Sequence, residues 1–258
     1  MGANAQTSVP TFTAGEILTA ANMNISARTG IPVFADSTAR DAAFGGTGEK
    51  TLAEGQFAYL ESTNATQYYD GSTWQAVGGA SGLTLVTATS TANTGGTVTS
   101  SGGRVTVAGS TSVSLNGVFT STYHNYLVLL DTLESAASGP NALNLRLRAA
   151  GTDTTSSTYY AGQIFGTYTG TAGGSANNAV AQFPIFTLTN AKQQMGKIEV
   201  FSPQAATITT IHSLGVAFDA QSNYAGYQSG ATQYDGFTLF MGASNFSGNI
   251  TVYAYQKS

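Results

Sequence analysis

The sequence predicts a mainly β chain: a short N-terminal anchoring helix, a small β-module and a C-terminal β-sandwich of jelly-roll type. Three observations lead there. Short runs with period-2 alternation recur from about residue 104 onward between Gly-, Ser- and Asn-rich clusters, the texture of sandwiches. Only one stretch, near the N-terminus, carries helical spacing. Hydrophobic residues make up 41% of the 258, enough for a sizeable core, while charged residues make up 9%, against roughly 25% in an ordinary soluble domain.

Residues 1–30 hold the helical stretch, TAGEILTAANMNISAR. Thr13 is placed to cap it, with Glu16 three residues on completing a capping box. Ile17, Leu18, Ala21 and Ile25 fall on one narrow apolar face. A helix this short needs a partner to persist, so Ile17, Leu18 and Ile25 are read as an anchor to another protein. Residues 31–79 read as a β-module. GQFAYLES alternates Phe57 and Tyr59 against Ala58 and Leu60, Asp70-Gly71 makes a tight turn, and Trp74 closes a small core. Residues 80–103 are rich in Gly, Ser and Thr and read either as a linker or as weakly patterned strands.

Residues 104–258 form the sandwich, with eleven expected strands: VTVAG, TSVSLNG, YLVLLDTL, ALNLRLRA, STYYAGQIFGTY, QFPIFTLT, MGKIEVFS, ATITTIHSLGVAF, YAGYQSG, GFTLFMGA and NITVYAYQ. The clearest is ALNLRLRA, where Leu143, Leu145 and Leu147 alternate with Asn144, Arg146 and Arg148. That alternation sends both arginines to an outer face or a subunit interface. No fixed-period repeat appears, which argues against a β-helix or propeller.

Charge narrows the functional classes. The net charge is −4, with seven acids against three bases in residues 1–79 and six against six thereafter. No Lys/Arg cluster can neutralise a run of phosphates, so nucleic-acid binding is not expected. There is no cysteine, hence no disulfide or thiolate chemistry, and stability must come from packing and subunit association. No apolar run is long enough to insert in a membrane, and the start, MGANAQTSVP, has no leader-like pattern. The chain reads as made in the cytoplasm.

Catalytic patterns are thin, and no enzyme, cofactor or metal is expected. His124 and His212 are the only histidines and lack partners at metal-ligand spacing. His212, alternating within ATITTIHSLGVAF, reads as a hydrogen-bonded interior or interface residue. No G-x-S-x-G phrase occurs, and GGTGEKT at 45–51 lacks the strand and helix of a phosphate loop. A polysaccharide depolymerase needs two carboxylates a few ångströms apart; Asp131, Glu134, Asp153, Glu199, Asp219 and Asp235 are available, but several read as turn residues. Binding has more support. Tyr159, Tyr160, Tyr168, Tyr224, Tyr227 and Tyr234 sit beside Gly, Ser, Asn and Gln, a mix that offers rigid aromatic platforms to sugar faces. The loops Tyr224-Ala225-Gly226-Tyr227 and Gly170 to Asn178 are expected to be exposed, with Tyr224, Tyr227 and Tyr234 as receptor-binding residues. Tyrosine is equally at home as a sandwich-strand residue.

The phrases FTAGEILTAANMN, TGIPVFADSTARDAAF, EGQFAYLESTN and QYYDGSTW resemble the N-terminal region of minor tail and tail-fibre proteins of double-stranded DNA bacteriophages, over roughly residues 12–77. The stretch AAFGGTGEKTLAEG departs from that pattern by its extra residues and its missing proline. More loosely, VFTSTYHNYLVLLDTLESAASGPNALNLRLRAAGTDTTSSTYYAGQ looks like a phage β-sandwich module. The resemblance implies a virion structural protein of the phage tail, held to other virion proteins by its N-terminal segment and exposing a C-terminal adhesive domain to a host-surface glycan. With low charge and no disulfides, it also implies a homotrimer. A capsid decoration or head-fibre protein and a polysaccharide depolymerase are the alternatives.

Overall fold

The structure, a computed structural model, describes residues 13–17, 19, 30–46, 50–77, 82–190, 193–216, 220–242 and 244–256. It divides into two compact units, residues 1–81 and 82–258.

In the first unit, the helix expected from Thr13 is replaced over residues 13–17 by a turn. The Glu16 carboxylate does accept from the Thr13 N–H at 3.1 Å, as a capping box requires. Gly15, however, takes φ +87°, which carries the backbone off the right-handed path one turn too early. Ile17 is 84% exposed. Leu18 and Ile25 lie outside the described residues.

Strands β1 (Val33–Phe34), β2 (Phe57–Leu60), β3 (Ala65–Tyr69) and β4 (Trp74–Ala76) form one sheet in that order, with β1 parallel to β2. The alternation of β2 buries Ala58 and Leu60 with Phe34 and Ala43, and Phe44 and Trp74 pack against them. Helix α1 (Ser37–Ala42) was not foreseen; Asp36 caps it by accepting from the Ala39 N–H at 2.8 Å. It places Arg40, which is buried, 4.6 Å above the Trp74 ring and beside Asp41. The Asp70-Gly71 turn forms as expected. Asp70 accepts from the N–H groups of Thr73 and Ser72 at 2.7 and 2.8 Å, and these bonds lower its carboxyl to about 2.

The second unit is a sandwich of two antiparallel sheets. Residues 82–103 supply strands, not a linker: β5 (Leu83–Val86), β6 (Ser90–Thr94) and β7 (Thr97–Ser101). The eleven expected runs are all strands: β8 (Arg104–Ser110), β9 (Ser112–Asn116), β10 (Asn125–Ser135), β11 (Asn141–Ala149), β13 (Tyr159–Thr167), β15 (Phe183–Leu188), β16 (Gln194–Phe201), β17 (Thr209–Val216), β18 (Ala220–Gln228), β19 (Gly236–Met241) and β20 (Phe246–Tyr255). Two more, β12 (Thr152–Asp153) and β14 (Ala172–Val180), were not anticipated.

The larger sheet runs β14-β13-β18-β17-β16-β10-β20-β8-β7, with β5 also on β20; the smaller runs β12-β11-β19-β9-β6, with β15 also on β11. Within them, β8-β20-β10-β16 faces β9-β19-β11-β15, and of these eight strands, taken in chain order, all consecutive pairs but β11 and β15 lie in opposite sheets. This is the strand order of a jelly roll. The β13–β14 hairpin and strands β17 and β18 are insertions that widen one sheet beyond β16.

Alternation fills the space between the sheets. Tyr126, Val128 and Leu130 of β10 face inward with Leu143, Leu145 and Leu147 of β11, all at most 1% exposed. The buried Tyr126 hydroxyl finds backbone partners: its Oη accepts from the Thr120 N–H at 2.7 Å and donates to its carbonyl at 2.8 Å. The Phe186 ring reaches across to Gly196 and Gly215, which pair on adjacent strands; a Cβ at Gly215 would lie 2.4 Å from that ring. Two glycines thus make the socket for one phenylalanine.

Candidate functional site

The tyrosines separate by strand geometry. Residues Tyr224 to Tyr227 are not a loop but the middle of β18, where positions three apart point to opposite faces. Tyr224 packs against the core, and burial raises its hydroxyl pKa. Tyr227 points outward and stacks on Tyr160 of β13, with ring centroids 4.9 Å apart at 16°. Tyr234 is fully buried in the sandwich core, which removes it from any receptor-facing surface. Tyr159 is buried too, its hydroxyl accepting from the Leu147 N–H at 2.9 Å, while Tyr168 is 64% exposed. Much of the Gly170 to Asn178 stretch is strand β14, exposed along most of its length.

The outer face of the larger sheet also holds His212. Its Nδ1 lies 2.9 Å from a Glu199 oxygen and its Nε2 lies 3.1 Å from the Asn223 side-chain oxygen. The Tyr255 hydroxyl donates to the other Glu199 oxygen at 3.2 Å, and Lys197 sits at 3.3 Å. The His212 hydrogen bond is the main cause of a lowered Glu199 pKa. Both ring nitrogens of His212 are thus engaged by an acid and an amide, and neither meets a serine hydroxyl. Around this cluster the face is apolar: Ile164 is 74% exposed, Met195 63%, and Leu129, Leu214 and Val216 about two-fifths.

The outer face of the smaller sheet differs. Register aligns Arg146 of β11, Thr238 of β19 and Ser114 of β9 in one row, and Asn144, Phe240 and Ser112 in the next. Period-2 alternation puts these groups outside because the leucines go inside. All of these but Asn144 line a groove of about 610 Å³, together with Thr94, Thr111, Ser244 and Asn245. Arg148 is held rigidly in it. Its Nε donates to Asn116 at 2.9 Å, and its Nη1 donates to Thr238 at 2.9 Å, to Ser114 at 3.0 Å and to Asp153, which closes an ion pair. Thr238 in turn donates to Asp153 at 2.6 Å. The Arg146 guanidinium carbon lies over Phe240, 4.3 Å from the ring centroid, and its Nε donates to the Ala181 carbonyl at 3.1 Å. Sequence alternation placed both arginines outside; the hydroxyls came from strands too distant in sequence to be joined without the register.

Comparison with protein-family models, curated proteins and solved structures finds no match to this chain. The jelly-roll order therefore rests on the strand pairing alone.

Several of the described carboxylates are engaged by separate partners. Asp131 is bound by Arg104 and Asn249, Asp153 by Arg148, Glu199 by His212, and Asp235 by the Ala150 N–H; Glu134 is exposed, and Asp219 lies outside the described residues. Among the described residues no three acids or histidines are grouped to hold a metal ion, and no helix is long and apolar enough to cross a membrane. His124 is exposed, ahead of β10.

Proposed function

We propose that this chain is a bacteriophage virion structural protein, a tail-associated fibre or minor tail component, whose sandwich binds a host-surface glycan. The observation that carries the adhesive part is the groove on the smaller sheet. It presents neutral hydroxyls and an amide beside an aromatic ring, a lining suited to polyhydroxylated ligands, at a volume within the roughly 300–1,000 Å³ usual for small-molecule sites. The stacked Tyr160–Tyr227 pair offers a second, flatter platform. Attachment to the virion is supported by the resemblance of residues 12–77 to phage tail proteins. Homotrimer formation is supported by the apolar outer face of the larger sheet, where side chains such as Ile164 and Met195 stand in water in the single chain.

The test is to locate the chain in virion density and to ask whether the purified protein blocks adsorption. A tail position in multiples of three copies, with competition for host cells, is the expected result. Hundreds of copies over the head would make it a capsid decoration protein instead, and saccharide release on incubation would make it a depolymerase.

A further inference from the structure

We infer that the groove on the smaller sheet is a subsite for a carboxylate-bearing sugar, with Arg146 as the residue that receives the carboxylate. This rests on the glycan-binding reading and narrows its ligand class.

The argument starts from charge. Two guanidinium groups and one carboxylate line the groove: Arg146, Arg148 and Asp153. Arg148 is spent on Asp153 and on four neutral acceptors around it, the Gly151 carbonyl among them, with its side chain 12% exposed. Arg146 has no carboxylate partner among the described residues. Its Nε and Nη2 contact only the Ala181 carbonyl and, at 3.4 Å, the Gln182 amide oxygen, and its Nη1 meets no acceptor among those residues. The contact with Phe240 and the bond to the Ala181 carbonyl hold the guanidinium in place, so its remaining N–H groups are offered at reduced entropic cost. The groove thus carries one uncompensated, oriented positive charge.

The same geometry chooses among anions. A phosphate dianion seeks two or more cations, and here the second is already neutralised, while Asp153 stands in the groove with a quarter of its side chain exposed and would repel a second negative charge. A single carboxylate matches the single free guanidinium. Most of the remaining polar lining is hydroxyl, with Asn245 the one amide; Ser112 pairs with Phe240 across the strands, and Thr94 pairs with Ser112. Hydroxyls donate and accept alike, which suits a ring of ligand hydroxyls better than the amides of a peptide.

The experiment titrates the full chain calorimetrically with sodium glucuronate, N-acetylneuraminate, glucose and N-acetylglucosamine at low and moderate salt. Acidic sugars should bind at least tenfold tighter than neutral ones, and added salt should weaken that preference. Arg146→Gln should remove the preference, so that acidic and neutral sugars bind within about twofold of each other. Ser112→Glu sets a carboxylate beside Phe240 and Arg146 and should do the same with the arginine intact, so a folding defect of one variant does not decide the matter. Equal binding of acidic and neutral sugars, insensitive to both substitutions, would overturn the carboxylate subsite and leave glycan binding standing. If no sugar binds but the chain still blocks adsorption, the groove is not the receptor site; if neither occurs, the adhesive reading itself falls.

Discussion

The two outer faces of the sandwich are built by the same alternation and have opposite chemistry. On the larger sheet the outward positions of β10, β13, β16 and β17 include Leu129, Ile164, Met195, Leu214 and Val216, around one hydrogen-bonded cluster at Glu199 and His212. On the smaller sheet they are serine, threonine, asparagine and arginine around one aromatic ring, Phe240. A sheet face that stays in water has no reason to hold aliphatic side chains, whereas a face covered by a neighbour does. Under the proposed function the contrast would separate a surface for association from a surface for recognition, and substitutions on each should leave the other undisturbed.

The largest effect should come from the recognition face. Replacing Arg148 with alanine strands the Asp153 carboxylate and removes a partner from Ser114 and Thr238, so the sandwich should lose about 3–5 kcal/mol. Denaturant unfolding reads this directly; a change under 1 kcal/mol would show that the network is ornamental. On the association face, Ile164→Asp with Met195→Asp should convert a trimer to monomers in mass photometry, since each side chain contributes about 1.5–3 kcal/mol when taken out of water. The same double substitution should leave sugar binding unchanged. A monomeric parent protein would end the proposed division of labour.

Smaller effects sharpen the boundary between the faces. Tyr227→Ala removes the stacked partner of Tyr160 and should cost about 1 kcal/mol of stability. If it also lowers glycan affinity, the recognition surface extends over both sheets. The smallest effect is titration of Glu199. Its carboxyl is held below the ordinary range mainly by His212, so it stabilises the fold above that range and the contribution fades as pH falls through the lowered value. Glu199→Gln should flatten that part of the stability profile, on the acid side of the ordinary glutamate range. An unchanged acid limb would mean the cluster is not coupled to folding.

Alternation made the sandwich legible wherever one face of a strand is buried and the other wet, as in β11. It fails for β14, AGGSANNAV, which is exposed on most positions and is held to β13 by backbone pairing that leaves no apolar trace in the sequence. Strands β6 and β7 hide in the same way behind threonine and serine. Helix α1 is too short for a period, though its cap, Asp36, was there to be read. Tyr224 and Tyr227 looked alike because glycine beside tyrosine suggests a loop; once the segment is a strand, their spacing of three puts them on opposite sides. The groove was half legible. Alternation exposed Arg146 and Arg148, but Ser112 and Thr238 join them only through a register that no local pattern encodes.

Strand β20 lies between β10 and β8 and also pairs with β5, Leu83 opposite Tyr255. The earliest strand of the sandwich therefore waits for the latest, and two interior edges stay open until that final segment has been synthesised. Such non-local closure places folding at the slow end, roughly milliseconds to seconds, instead of the microseconds of local topologies. During that interval the unpaired edges of β8 and β10 are templates for a neighbouring nascent chain. Crowded translation of many copies is then the condition under which this protein is most exposed to misassembly, and a chaperone that shields β-edges is the kind of help its topology calls for.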